Sequence, residues 1–167
     1  MEGITILQRN LDILRPLFSE ILLSGWPDDT ELPEGIRKVP DNFPGRGPLA
    51  GIEASMKAAA TPYIFVFGGD MPWLSEEIIK RQAADFLETP AEALVPCINN
   101  LAEPLHAVYS CRLQSSLEAL LMSGEGGAVI DFIGQTKVRY FDLPASAETA
   151  RAFTNINTPE DLHGGNT

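Results

Sequence analysis

Cysteine, histidine and positive charge are what this chain has little of: two Cys, two His and 12 Lys plus Arg in 167 residues. Cys97 and Cys111 form no CxxC pair and have no histidines at zinc-ligand spacing. That argues against a disulfide framework and a zinc site, and makes a reduced, cytoplasmic protein the expectation. The few cations face 23 Asp plus Glu, for a net charge of −11. No stretch concentrates them, so nucleic acid is not an expected partner. Any phosphate bound here needs metal ions or backbone amides to offset the repulsion. No apolar run approaches the roughly 20 residues of a membrane-spanning helix, so no membrane association is expected. The opening "MEGITILQRNLDIL" has helical spacing and acidic residues where a signal peptide would have a basic start and an apolar block. Internal repeats and low-complexity segments are absent too. What remains, 44% hydrophobic and 21% charged residues, is ordinary for one globular domain over 1–167.

Leu7, Leu11, Leu14 and Phe18 recur at helical spacing, which predicts an amphipathic helix from about 5 to 18, strained late by Pro16. "EILLS" (20–24) reads as a short buried strand and "GIRKV" (35–39) as a weaker, edge-like one. "PDNFPGRGPLAG" holds three prolines and three glycines in twelve residues, an ordered loop. Pro48 suits the first position of a helix through Leu49, Ile52, Met56 and Ala59. "YIFVF" (63–67) is an apolar run suited to a strand covered on both faces. A helix follows from Ser75, with Glu76 and Glu77 in its first turn as the helix dipole favours. Beyond it, "EALVP", "HAVYS" and "KVRYFDL" read as strands, "RLQSSLEALLMSG" as a helix stopped by Gly124, and "GAVIDFIG" as a short helix. "TPED" (158–161) has the form of a capping box. Strands alternating with helices predict an α/β fold with a mostly parallel sheet.

Three stretches carry candidate chemistry. In "YIFVFGGDMPW", Asp70 stands just past the carboxyl end of a strand, where open α/β sheets bind ligands. Gly68 and Gly69 allow a sharp turn and close approach. A carboxylate there suits Mg²⁺, which shares oxygen ligands with phosphates. Capping of the turn by Asp70 is the commoner use of such a sequence and stays open. "GRGPLAGI" (45–52) joins a glycine-rich turn at Gly47 to a helix N-terminus, where free N–H groups attract anions; an ordinary loop into a helix fits equally well. In "FTNINTPEDL", Asn155 and Asn157 alternate along an extended segment and share a side, able to ligate a metal, grip a polar ligand or cap the next helix.

Together and in this order, "GPLAGI", the strand with "GDMP", "EPLHAVY" (103–109) and "NINTPEDL" resemble the molybdenum cofactor guanylyltransferase (MobA) family of nucleotidyltransferases. The likeness runs from about residue 6 to 162. It implies a Rossmann-like, three-layer nucleotidyltransferase fold. It also implies transfer of GMP from GTP to molybdopterin with release of pyrophosphate, in molybdopterin guanine dinucleotide synthesis. Asp70 then matches the Mg²⁺-binding aspartate between the phosphates. Asp41 and Ser24 match nucleotide contacts, Asp41 suited to guanine's N–H edge, and Gly47 lies in the nucleotide loop. Asn155 and Asn157 match the paired asparagines near pterin and metal, with Asn157 assigned to the ion. "EPLHAVY" matches a segment lining the acceptor side, so His106 or Tyr109 is a candidate pterin contact; without the resemblance both read as core residues. Transient molybdoenzyme or cofactor-synthesis partners are implied as well.

The sequence departs from the family at its start. The family begins with a strand and a glycine-rich loop, LAGGxSxRMGxxK, and nothing of that kind is present. The expectation is therefore an N-terminally truncated form, opening in the helix after that loop. Its sheet would lack the strand between those matching "EILLS" and "YIFVF". Arg46 and Lys57 would be poor replacements for the loop's cations. The competing expectations are a non-catalytic module that binds a pterin or partner, and a nucleotidyltransferase that uses another nucleotide such as CTP.

Overall fold

The computed structural model describes residues 5–27, 30–124 and 127–156. Seven strands and six helices alternate along it: α1 (Ile6–Leu14), β1 (Leu22–Ser24), β2 (Arg37–Val39), α2 (Pro48–Ala58), β3 (Tyr63–Phe67) and α3 (Glu76–Glu88). Then follow β4 (Ala93–Ile98), β5 (Leu101–Ala102), β6 (His106–Ser110), α4 (Gln114–Ser123), α5 (Val129–Ile133), β7 (Val138–Asp142) and α6 (Ala147–Ala152). Local chemistry accounts for the boundaries. Thr5 and Ser75 cap α1 and α3 by accepting from the N–H groups of Gln8 and Ile78. Gly124 ends α4 in the left-handed region, φ 79°. The first helix stops at Leu14, short of the expected 18, because Pro16 cannot continue it.

Period-two alternation builds the two faces of the main sheet. Ile64 and Val66 of β3, Ala93 and Val95 of β4, and Ala107 and Tyr109 of β6 pack with α2, α4 and α5. Phe65, Phe67, Leu94 and Val108 face the other way, towards α1, α3 and α6. The α/β, three-layer architecture is as expected. The sheet itself is mixed where mostly parallel pairing was expected. Its order is β3-β6-β4-β5, with β7 also on β4. β6 is antiparallel to both β3 and β4, and only β7 pairs with β4 in parallel. The physical reason is a short connection. Asn99 and Asn100, at φ 51° and 64°, turn the chain tightly into β5, and a reversal that short leaves antiparallel pairing as the available geometry.

β1 and β2 pair in parallel but form a separate two-stranded sheet. Among the described residues β3 is therefore bonded on one edge only; its two faces are covered as expected, but the open edge leaves all five of its residues half-buried. A cavity of about 700 Å³ separates the two sheets, walled by β1, β3, α1 and α2. The gap expected between "EILLS" and "YIFVF" is there, and α2 spans it by packing on β1, β2 and β3. No helix among the described residues is long and apolar enough to cross a membrane. The "TPED" capping box and Asn157 lie outside the described residues. Leu117, fully buried in the larger core cluster, tests the packing: Leu117→Ala should cost about 2–5 kcal/mol in urea unfolding, and a cost below 1 kcal/mol would show that α4 does not hold that core.

Candidate functional site

Asp70 lies three residues beyond β3, and main-chain bonds set its position. The Gly68 N–H donates to Leu105 O at 2.7 Å, and the Ile156 N–H donates to Asp70 O at 2.8 Å. Asn10 of α1, buried, donates from Nδ2 to Met71 O at 3.0 Å. The loop is thus held from β6's approach, from the first helix and from the last described segment. Asp70's own carboxylate is half-buried and accepts no hydrogen bond from the described residues. The turn-capping alternative left open above is not what this side chain does. A Cβ on Gly68 would lie 2.7 Å from Asp70 Oδ1, so glycine is what leaves the carboxylate room to fold over the turn.

Asp70 and Ser24, at the ends of β3 and β1, line the same cavity. Gly51 of α2 sits so close to Ser24 Oγ that a Cβ there would collide with it, and Asp41 Oδ1 lies 4.0 Å from the same point. Ser24 and Asp41 are thereby gathered at one end of α2. Asp41 Oδ1 is buried and has no hydrogen-bond partner, an open acceptor. Gly47, at φ 63°, is the residue before α2 and gives it no side-chain cap. Asn155 is exposed, one residue before the Ile156 N–H that bonds the Asp70 main-chain carbonyl, so the two backbones adjoin. The lining includes no Lys or Arg. Arg46 donates to Gly124 O at 3.1 Å, and Lys57 pairs with Glu118 at 3.2 Å. Among the described residues no three His, Cys, Asp or Glu side chains gather to hold a metal, so Asp70 offers a single carboxylate.

His106 is elsewhere. It is fully buried, its ring 5.4 Å from Phe65, 5.1 Å from Phe67 and 4.7 Å from Phe153. Nδ1 meets Gln82 Oε1 at 3.2 Å, while the Gln82 amide donates to Leu94 O and His106 O, bridging β4 and β6. The expected ligand contact is corrected: in this position the imidazole packs and offers a pterin no surface. Tyr109 is equally buried and donates to Pro104 O at 2.7 Å. Among the buried polar residues that escaped the sequence reading are Asn10 and Glu53. A signal existed for each: they fall on the apolar stripes of α1 and α2, where a polar side chain needs a reason.

Burial holds the His106 pKa down at about 4, against 6.5 for an ordinary histidine. The unfolded chain therefore takes up this proton near pH 6.5, the folded chain only near 4. His106's contribution is complete above pH 6.5 and is lost as pH falls toward 4, by about 3 kcal/mol at most. Urea unfolding at pH 7.5 and 4.5 should show a larger loss for wild type than for His106→Leu. Equal losses would mean that the imidazole is protonated, or free to be, in the native state.

Comparison with known proteins gives a consistent set of relatives. The model of the MobA-like NTP transferase domain matches residues 1–138. A probable molybdenum cofactor guanylyltransferase from Pelotomaculum thermopropionicum is 33% identical, over 94% of this chain and 77% of its own length. One from Methanosarcina acetivorans is also 33% identical, over 96% of this chain and 77% of its own. Among solved structures, molybdopterin-guanine dinucleotide biosynthesis protein A from Archaeoglobus fulgidus superposes with a TM-score of 0.77 at 22% identity, covering 98% of this chain and 84% of that one. The 2-C-methyl-D-erythritol 4-phosphate cytidylyltransferase from Thermus thermophilus gives 0.71 at 18%, covering 96% and 87%. At those identities the two structures establish the shared fold.

Proposed function

The chain belongs to the MobA-like NTP transferase domain family, and from that premise we propose that it serves guanylyl transfer to the molybdenum cofactor, the activity for which its curated relatives are named. In this reading the terminal phosphate of molybdopterin attacks the α-phosphate of GTP, the bond to the β-phosphate breaks, and pyrophosphate leaves. An ionised phosphate is already a nucleophile, so no side chain is assigned proton transfer. Positioning and charge compensation are what the reaction needs from the protein.

One observation carries the reading: a carboxylate that accepts no hydrogen bond from the described residues, Asp70, just past the end of β3 on the cavity that Ser24 also lines. The donor set fits Mg²⁺, which takes one or two carboxylates and fills its shell with phosphate oxygens and water. When bound, the ion supplies charge neutralisation and alignment of the phosphates. Asp41 accepts from guanine's N–H groups, for which its unpartnered Oδ1 is suited. Ser24 and the N-terminal turn of α2 after Gly47 serve the phosphates. Asn155 serves the pterin side, and Asn157, outside the described residues, is assigned to both the pterin and the ion.

A second reading has its own support. The absence of Lys and Arg from the cavity lining favours a module that binds a pterin or partner without turnover, because triphosphate binding usually recruits cations. Calorimetric titration with Mg·GTP and with molybdopterin, followed by a pyrophosphate-release assay, separates the two. Pyrophosphate release establishes the transferase; pterin binding with no GTP affinity establishes the module. Asp70→Asn should lower turnover by about a hundredfold or more with stability within about 1 kcal/mol of wild type. Near-normal turnover in Mg²⁺ would remove Asp70 from the metal site.

A further inference from the structure

Glu53 of α2 is a carboxylate with 0% exposure, and the chemistry above makes no use of it. Its oxygens are shared between two neutral amides: Oε2 accepts from Asn42 Nδ2 at 2.9 Å and Oε1 accepts from Gln114 Nε2 at 2.7 Å. No Lys, Arg or His pairs with it among the described residues. A buried carboxylate without a cation is costly to keep, and an apolar side chain of similar size is usually tolerated as well or better. Stability alone therefore gives no reason for Glu53.

The reason lies in what it holds. Asn42 is the residue after Asp41, in the loop of residues 40–47 that leads into α2. That loop is mostly exposed, and two side-chain bonds tie it down among the described residues: Asn42 to Glu53, and Arg46 to Gly124 O. The first of these ends on a buried anchor. Two NH₂ groups converge on Glu53 from the loop and from α4, and a carboxylate is the side chain that accepts both through separate oxygens while donating nothing. Fixing Asn42 fixes the backbone beside Asp41, whose Oδ1 is already buried and open.

We propose that Glu53 is the positioning residue for base recognition: by gripping Asn42 it fixes the chain that carries Asp41, whose unpartnered Oδ1 lies behind Ser24 and Gly51 of the cavity wall, ready for the N–H edge of a guanine. The proposal rests on the nucleotide reading given above and adds the element that sets its selectivity. An ordered acceptor selects guanine, which donates there, over adenine, which presents an acceptor at the same ring position.

The test uses Glu53→Met and, from the loop side, Asn42→Ala, a change at an exposed residue that keeps the experiment informative if the first variant folds poorly. Amide hydrogen exchange reads loop order and thermal unfolding reads stability. Titration with Mg·GTP and Mg·ATP reads recognition. In each variant, amides of residues 41–47 should exchange at least about tenfold faster while β6 keeps its wild-type protection. GTP affinity should fall by about tenfold, the worth of one charge-assisted hydrogen bond, with ATP binding unmoved. Unchanged loop exchange with wild-type GTP binding would overturn the role of Glu53 alone. Loss of binding that tracks loss of melting temperature in both variants would make Glu53 structural. A wild-type protein that binds no Mg·GTP would overturn the guanine reading itself, and this proposal with it.

Discussion

The ladder between β3 and β6 is the constraint on which the rest depends. Five residue pairs, from Tyr63 opposite Ser110 to Phe67 opposite His106, hold β3 along the single edge at which it is bonded among the described residues. Every residue of β6 is buried, so the strand that supports β3 is itself fixed by packing on both faces and by β4 on its far side. His106 and Gln82 reinforce this at the end where the β4–β6 ladder stops, supplying side-chain bonds where main-chain pairing runs out. The buried Gln82 amide replaces backbone partners that the Leu94 and His106 carbonyls would otherwise lack, and the imidazole meets the same amide's oxygen, which accounts for two polar residues inside an apolar core.

Placement of Asp70 follows from that ladder. The acid lies three residues beyond β3, and its main chain is gripped by Ile156, with Gly68 and Met71 beside it held by Leu105 and Asn10. Among the described residues its side chain is left unengaged, which is unusual for a half-buried carboxylate in a crowded turn. Across the cavity, Ser24, Asp41 and the start of α2 form a second group of polar atoms, and the buried Glu53 bonds Asn42, the residue next to Asp41. The two halves of the candidate site are thus built on two sheets that share no hydrogen bond, joined through the packing of α2. In a chain of net charge −11, neither half offers a cation. Compensation for phosphate charge falls to metal ions and helix N–H groups.

Much of the fold was legible because its signals are local. Apolar spacing marked α1 through Leu7, Leu11 and Leu14; Pro48 and Ser75 marked the starts of α2 and α3; Gly124 marked the end of α4. The hairpin through Asn99 and Asn100 and the short helix at Ala147–Ala152 were not read, since each is brief and lacks a strong periodic pattern. In the candidate site, Asp70 was legible from its place after a strand. His106 was not, because a histidine on a strand reads the same whether its ring meets solvent or three phenylalanines. Asn10 and Glu53 were visible only as polar residues on apolar stripes, with nothing in the chain to say what they hold.

The amino-acid sequence by itself determined where strands and helices lie, the alternation that gives the sheet two apolar faces, and the acidic balance that turns away polyanions. These are properties of neighbours in the chain, and short-range sterics and periodicity set them. Tertiary structure alone decided that β6 inserts between β3 and β4, that His106 is sealed in the core, and that Glu53 reaches Asn42 and Gln114 together. Those outcomes join residues far apart in the chain, and they depend on which surfaces bury against which, a choice that no local pattern encodes.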